Sequence, residues 1–148
     1  MHTNTFRQAA CVIMLCMMGS STADNTGVPL APCPDSPNCV SSLAPGADRE
    51  HYIAPFSFSG DPTVAWQRLK TAMLTENRVT VVEERKDYLH AEIRSLIFRF
   101  VDDIEFSLAA DAGLINVRSA SRMGYSDFGV NRKRVERIRA AFDTQPAG

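Results

Sequence analysis

Two stretches hold most of the residues whose types and spacing could do chemistry. From Phe98 to Leu108 the chain reads FRFVDDIEFSL, with Asp102 and Asp103 in tandem and Glu105 two positions on. From Arg118 to Arg134 it reads RSASRMGYSDFGVNRKR, five basic residues around Tyr125 and Asp127. Carboxylates at the first spacing suit a hard cation or an acid/base pair. The second stretch suits an anion, with Arg118, Arg122, Tyr125, Asn131, Arg132 and Arg134 as candidate ligand residues. Part of it opens a helix, whose free N–H groups attract phosphate or carboxylate. The two stretches also suit each other: as cross-strand ion pairs they form a charge ladder of Asp102, Asp103 and Glu105 with the arginines, and such a ladder needs no function.

Known catalytic patterns are missing. There is no P-loop, no G-x-G-x-x-G and no H-E-x-x-H. In Gly124-Tyr125-Ser126-Asp127-Phe128 a phenylalanine stands where a nucleophile elbow needs its second glycine, so Ser126 is not read as a nucleophile. No catalytic residue, metal ligand or cofactor is assigned.

The elements that position these residues can be read from periodicity. His51 to Phe58 is aromatic and apolar with Pro55, which suits an edge strand. Asp61-Pro62 is a helix start, and Ala65, Trp66, Leu69, Ala72 and Met73 recur at helical spacing. Val79 to Glu83 is β-branched. After the polar turn Arg85 to Asp87, the run Tyr88 to Arg94 alternates, with Leu89, Ala91 and Ile93 on one face.

The next strand shows a core face at Phe98, Phe100, Ile104, Phe106 and Leu108, broken at Asp102, whose carboxylate must be paired or moved off that face by a bulge. A two-residue turn at Ala112-Gly113 would set Leu108 against Val117 and Asp103 opposite Arg122, with Glu105 opposite Ala120. The last helix runs from about Val130 to Phe142, with Val135, Ile138, Ala141 and Phe142 as its stripe. Arg132, Lys133 and Arg134 lie in its first turns, where the macrodipole disfavours cations, so a carboxylate partner or an anionic ligand must favour them there. These elements predict a single α+β domain over 51–142, an antiparallel meander of about five strands packed with two helices, followed by a tail at 143–148.

The N-terminal part reads differently. Arg7 precedes the unbroken apolar run Ala9 to Met18, and small residues follow to Ala23. This is the layout of a signal peptide over 1–23, cleaved near Ala23; a run of ten cannot span a bilayer. The expectation is a periplasmic or secreted protein with no stable membrane span in the mature chain. Residues 24–50 then form an extended arm and linker stapled by a Cys33–Cys39 disulfide, worth about 2 kcal/mol by the chain-entropy model. Without residues 1–23 the chain has 15 Lys+Arg and 17 Asp+Glu, a near-neutral balance that argues against nucleic acid as partner.

The blocks CPDSPNCVSS, HYIAPFSFSG, YLHAEIRSLIFRFVDDIEF and RSASRMGYSDFGVNRKRVERIR together resemble the bacterial and chloroplast family called domain of unknown function 1499. The likeness covers about Cys33 to Phe142. It implies exported or thylakoid-lumen relatives and brings no reaction, ligand or catalytic residue with it.

Three functional readings follow. The leading one is a non-enzymatic exported module whose polar centre takes a small anion or a partner protein. The second is a hydrolase-like enzyme using Asp102, Asp103 or Glu105 with Tyr125. The third is a structural envelope protein that uses its charges for rigidity.

Overall fold

The computed structural model describes residues 27–96 and 99–146. The signal-peptide reading, and Phe98, lie outside the described residues. Six strands and two helices follow in the order β1 (Cys39–Ser41), β2 (Phe56–Ser57), α1 (Pro62–Met73), β3 (Val79–Glu84), β4 (Tyr88–Arg94), β5 (Val101–Ala109), β6 (Leu114–Ser121) and α2 (Val130–Asp143). The expected α+β class holds. The sheet order is β1-β6-β5-β4-β3, and β2 also pairs with β6. β1 lies along 118–120 and β2 along 114–115, so the two short strands share one edge of β6 end to end. The arm therefore contributes a strand, and the expected edge strand shrinks to Phe56–Ser57.

Both helices pack on one face of this sheet, and their burial follows the helical stripe. Asp61 caps α1 by accepting from the Thr63 N–H at 2.7 Å, with Pro62 in the first turn. Its buried residues are Ala65, Trp66, Leu69, Ala72 and Met73, as the spacing predicts. In α2 the stripe is Val135, Ile138 and Phe142, continued toward the N-terminus by Arg134 and Asn131. Phe56 joins sheet to helix, edge-on to Phe106 at 5.8 Å and to Phe142 at 5.6 Å.

Three details differ from the sequence reading. The β5–β6 connection is a 3-10 turn at Ala110–Ala112 closed by Gly113 at φ 64, longer than a two-residue turn. The register consequently moves by two: Leu108 faces Ile115, Asp103 faces Ala120 and Glu105 faces Arg118. A slip of two keeps every side chain on its face. Phe100 does not extend the core face; it precedes the first strand residue and is 46% exposed. The core face of β5 holds Asp102, Ile104 and Phe106, with Leu108 partly buried against the core.

The arm is tied down at several points. Cys33 and Cys39 form the disulfide. Residues 43–50 are held by Asp48, whose carboxylate meets His51 Nδ1 at 2.8 Å, and by Arg132, which donates to the carbonyl of Glu50 at 3.0 Å. Near its start the arm presses so closely on the sheet that a Cβ at Gly27 would lie 2.4 Å from Ser107 Oγ.

Candidate functional site

The two tandem acids of β5 point to opposite faces because side chains alternate along a strand. They consequently belong to two separate polar systems. On the face away from the helices, Arg118 reaches Glu105 at 2.9 Å, and Tyr88 donates to the same carboxylate at 2.8 Å. Burial, with Glu105 beside it, holds the Tyr88 phenol well above its usual range. Arg122 donates through Nε and a terminal nitrogen to Asp103, at 2.8 and 2.7 Å, and reaches Glu92 at 2.7 Å. His90 adds a contact to Asp103 at 2.7 Å. Burial pushes the Asp103 carboxyl up, but Arg122 and His90 together outweigh it and hold it below the usual carboxylate range. Arg122 likewise holds Glu92 down. Each carboxylate of this ladder has a cation against it.

On the helix face Asp102 is buried and bonded to Arg134 at 2.5 Å, so its carboxylate is paired, with no bulge to remove it. Arg134 also donates to Asn131 Oδ1 at 2.6 Å, which accepts from the Ser119 hydroxyl at 2.6 Å. The Asn131 amide donates to the Asn38 carbonyl, Ser121 Oγ and Asp127. Arg134 Nε is buried without a hydrogen-bond partner. A half-used guanidinium in the core is costly, which marks this network as incomplete on one side.

The start of α2 carries its own anion. Asp127 accepts from the Gly129 and Asn131 N–H groups at 2.9 and 2.7 Å, the carboxylate partner expected at this helix start as the alternative to an anionic ligand. That carboxylate, the Asp102 pair and the carbonyl contacts of Arg132 are what favour the cations in the first turns. The six candidate ligand residues therefore do not converge. Arg118 and Arg122 belong to the ladder, and Asn131 and Arg134 to the buried network. Arg132 holds the linker, and Tyr125 stands 75% exposed on the β6–α2 connection.

What lies beside the buried network is an open cleft of about 570 Å³, in which Arg134 and Asp102 form part of the wall. Glu76 and Arg78 face it from the connection between α1 and β3, Arg94 from the end of β4 and Arg137 from α2. Glu76 is held by Arg137 through two contacts of 2.9 and 2.7 Å, which raises the Arg137 pKa. Arg78 Nε donates to the Arg94 carbonyl at 2.7 Å, and among the described residues the Arg94 side chain has a 3.4 Å contact to Glu92, already engaged by Arg122. The residues lining the cleft thus include four arginines and two carboxylates, Asp102 and Glu76, each carboxylate engaged by an arginine of the same wall. Sequence reasoning missed Arg78, Arg94 and Arg137 because no spacing links residues brought together from three elements. Among the described residues no group of three or more His, Cys, Asp or Glu is placed to hold a metal ion.

Fold and site together define a small α+β domain with a charge-laddered sheet and an arginine-rich cleft at one end. Residues 29–142 match the family described as protein of unknown function (DUF1499), and the chain belongs to that family. No curated protein and no solved structure matches it.

Proposed function

We propose that this protein is a non-enzymatic exported module that binds a small anion in the cleft between the α1–β3 connection, the ends of β4 and β5, and α2. The observation that carries the reading is the charge imbalance of that cleft: Arg78, Arg94, Arg134 and Arg137 against Glu76 and Asp102, both already engaged. Arginines in a fork geometry suit phosphate or carboxylate, and each hydrogen bond to a charged group contributes about 1.5–3 kcal/mol. The ladder on the other face, each of whose carboxylates meets a cation, is then scaffold. Its carboxylates, with cations against them, offer neither a free base nor an open cation site. Export rests on the layout of residues 1–23 and on the Cys33–Cys39 disulfide, which persists in oxidising compartments. Among the described residues no helix is long and apolar enough to cross a membrane.

The test is a titration of the protein with inorganic phosphate and with citrate, followed by backbone NMR shifts and by melting temperature. Shifts should localise to Arg78, Arg94 and Arg137, and the melting temperature should rise with anion concentration. Arg94→Gln should weaken binding by about tenfold, the loss of one charge-assisted bond. Flat shifts and no anion dependence of melting in the unaltered protein would sink the reading.

A further inference from the structure

The end of the molecule that carries the cleft also carries the most exposed large apolar side chains of the described residues. Arg94 pairs with Val101, and Asp102 with Ser121, so the β4–β5 and β6–α2 connections leave the sheet at the same end. On these connections stand the four most exposed large apolar side chains of the described residues: Phe128 at 88%, Tyr125 at 75%, Leu96 at 73% and Met123 at 66%. Phe100 and Val130 extend the patch. Such a concentration at one end is not the scattered exposure normal for a soluble surface.

The backbone that displays these side chains is held in place. The Asn38 amide donates to the Gly124 carbonyl at 2.6 Å, and Asp127 fastens the Gly129 and Asn131 N–H groups. On the other connection the Ser95 N–H donates to the Phe100 carbonyl, and the Phe100 N–H to Ser95 Oγ, both at 2.9 Å. The three non-glycine residues with left-handed backbone among those described, Arg78, Arg99 and Phe128, all lie at this end. That conformation is costly for side-chain-bearing residues and persists where surrounding structure enforces it. A fixed turn therefore presents Phe128 to solvent.

Cations frame the patch. Arg78 and Arg94 line both the cleft and a neighbouring recess of about 460 Å³ that Arg99 completes. The exposed apolar side chains project from two separate connections, beside the cleft and the recess. They match a plane that is apolar below and anionic at its surface, with a tyrosine at the boundary and arginines on phosphates. We infer that this end docks on an anionic phospholipid surface, with Leu96, Met123, Tyr125 and Phe128 entering the headgroup boundary and Arg78, Arg94 and Arg99 holding lipid phosphates. The inference shares arginines with the cleft reading, but its apolar half is an independent observation.

The experiment is vesicle co-sedimentation of the protein in the form the cell processes it, with melting temperature as the check that each variant folds. The protein should sediment with vesicles containing about one third phosphatidylglycerol in phosphatidylcholine, with binding that falls as salt rises, and poorly with phosphatidylcholine alone. Tyr125→Ser/Phe128→Ser should reduce partition by about tenfold at unchanged melting temperature, because exposed side chains contribute little to the fold. The same variant should keep its NMR response to inorganic phosphate, which separates failure of docking from failure of the cleft. Arg94→Gln/Arg99→Gln should lower partition and flatten its salt dependence. Equal binding to both vesicle types, or unchanged partition in Tyr125→Ser/Phe128→Ser, overturns the inference. So does a loss in that variant seen only against an acidic peptide, which would assign the surface to a protein.

Discussion

Asp102 and Asp103 are neighbours in sequence, each pairs with an arginine, and the two pairs differ in nearly everything else. The Asp103 side belongs to a ladder in which several carboxylates and cations share contacts across three strands, its carboxylates partly exposed and its Arg122 44% exposed. The Asp102 side is one pair, with the aspartate 9% and the arginine 5% exposed, backed by Asn131 and Ser119; its Arg134, like Arg118 in the ladder, leaves a buried Nε without a hydrogen-bond partner. Water and multiple partners cushion the first system against loss of any member. The second has no such cushion, and its stability depends on both partners being present.

The largest effect should therefore come from Asp102→Ala, which leaves Arg134 charged and alone in the core. The expected loss is about 3–5 kcal/mol in urea unfolding. Asp102→Leu/Arg134→Met should recover most of it, because Asn131 Oδ1 keeps the Ser119 hydroxyl and no buried charge remains. A loss at Asp102→Ala no greater than at ladder positions would erase the distinction between the faces.

A smaller effect is expected at Glu105 and Arg118, which face each other directly across β5 and β6. Glu105→Ala and Arg118→Ala should each destabilise, and the double variant should lose less than the sum, with a coupling of about 1 kcal/mol. Tyr88 sharpens the comparison. Since it donates to the same carboxylate, Glu105→Ala should cost more than Arg118→Ala. Additive losses would mean that the ladder contact carries no energy of its own.

How far the sequence carries this contrast depends on the range of the signal. Alternation along β5 is local, and it correctly placed Asp102 among Ile104 and Phe106 and required a partner for it. Helical spacing made Val135, Ile138 and Phe142 legible as the buried stripe of α2, but not its continuation through Arg134 and Asn131, whose polar side chains suggest a ligand instead of a core position. Register was not, because it turns on how many residues the turn consumes: Gly113 closes a 3-10 turn beginning at Ala110. The error of two residues kept the faces, and Arg122 still reaches Asp103, now on the diagonal. Phe100 fits the alternation but falls in the Ser95-closed connection before the strand begins. Cys39–Ser41 pairs with β6, a long-range contact that its proline-rich surroundings conceal. The cleft was invisible for a similar reason, since Arg78, Arg94 and Arg137 meet only through the tertiary fold.

The smallest expected effect is a matter of pH and concerns Arg122. Asp103 and Glu92 both have carboxyls held below their ordinary values of 3.8 and 4.5, with Arg122 as a shared cause. A carboxyl whose pKa is lower folded than unfolded contributes stability that is complete above its unfolded value and is lost as pH falls through the folded value. Arg122→Gln removes the shared cause, leaving His90 on Asp103 and the loose Arg94 contact on Glu92. The melting temperatures of the two proteins should consequently differ most near neutral pH, begin to converge as pH falls below the ordinary values of 3.8 and 4.5, and meet below the lower folded values, where protonation dissolves the pairs in the unaltered protein as well. High salt should narrow the neutral-pH gap, since Arg122 is 44% exposed and its field is screened. The same scan on Asp102→Leu/Arg134→Met should show no such salt dependence. A gap for Arg122→Gln that stays constant from pH 7 to pH 2 would mean that Arg122 stabilises the sheet through its hydrocarbon stem and not through the carboxylates it touches.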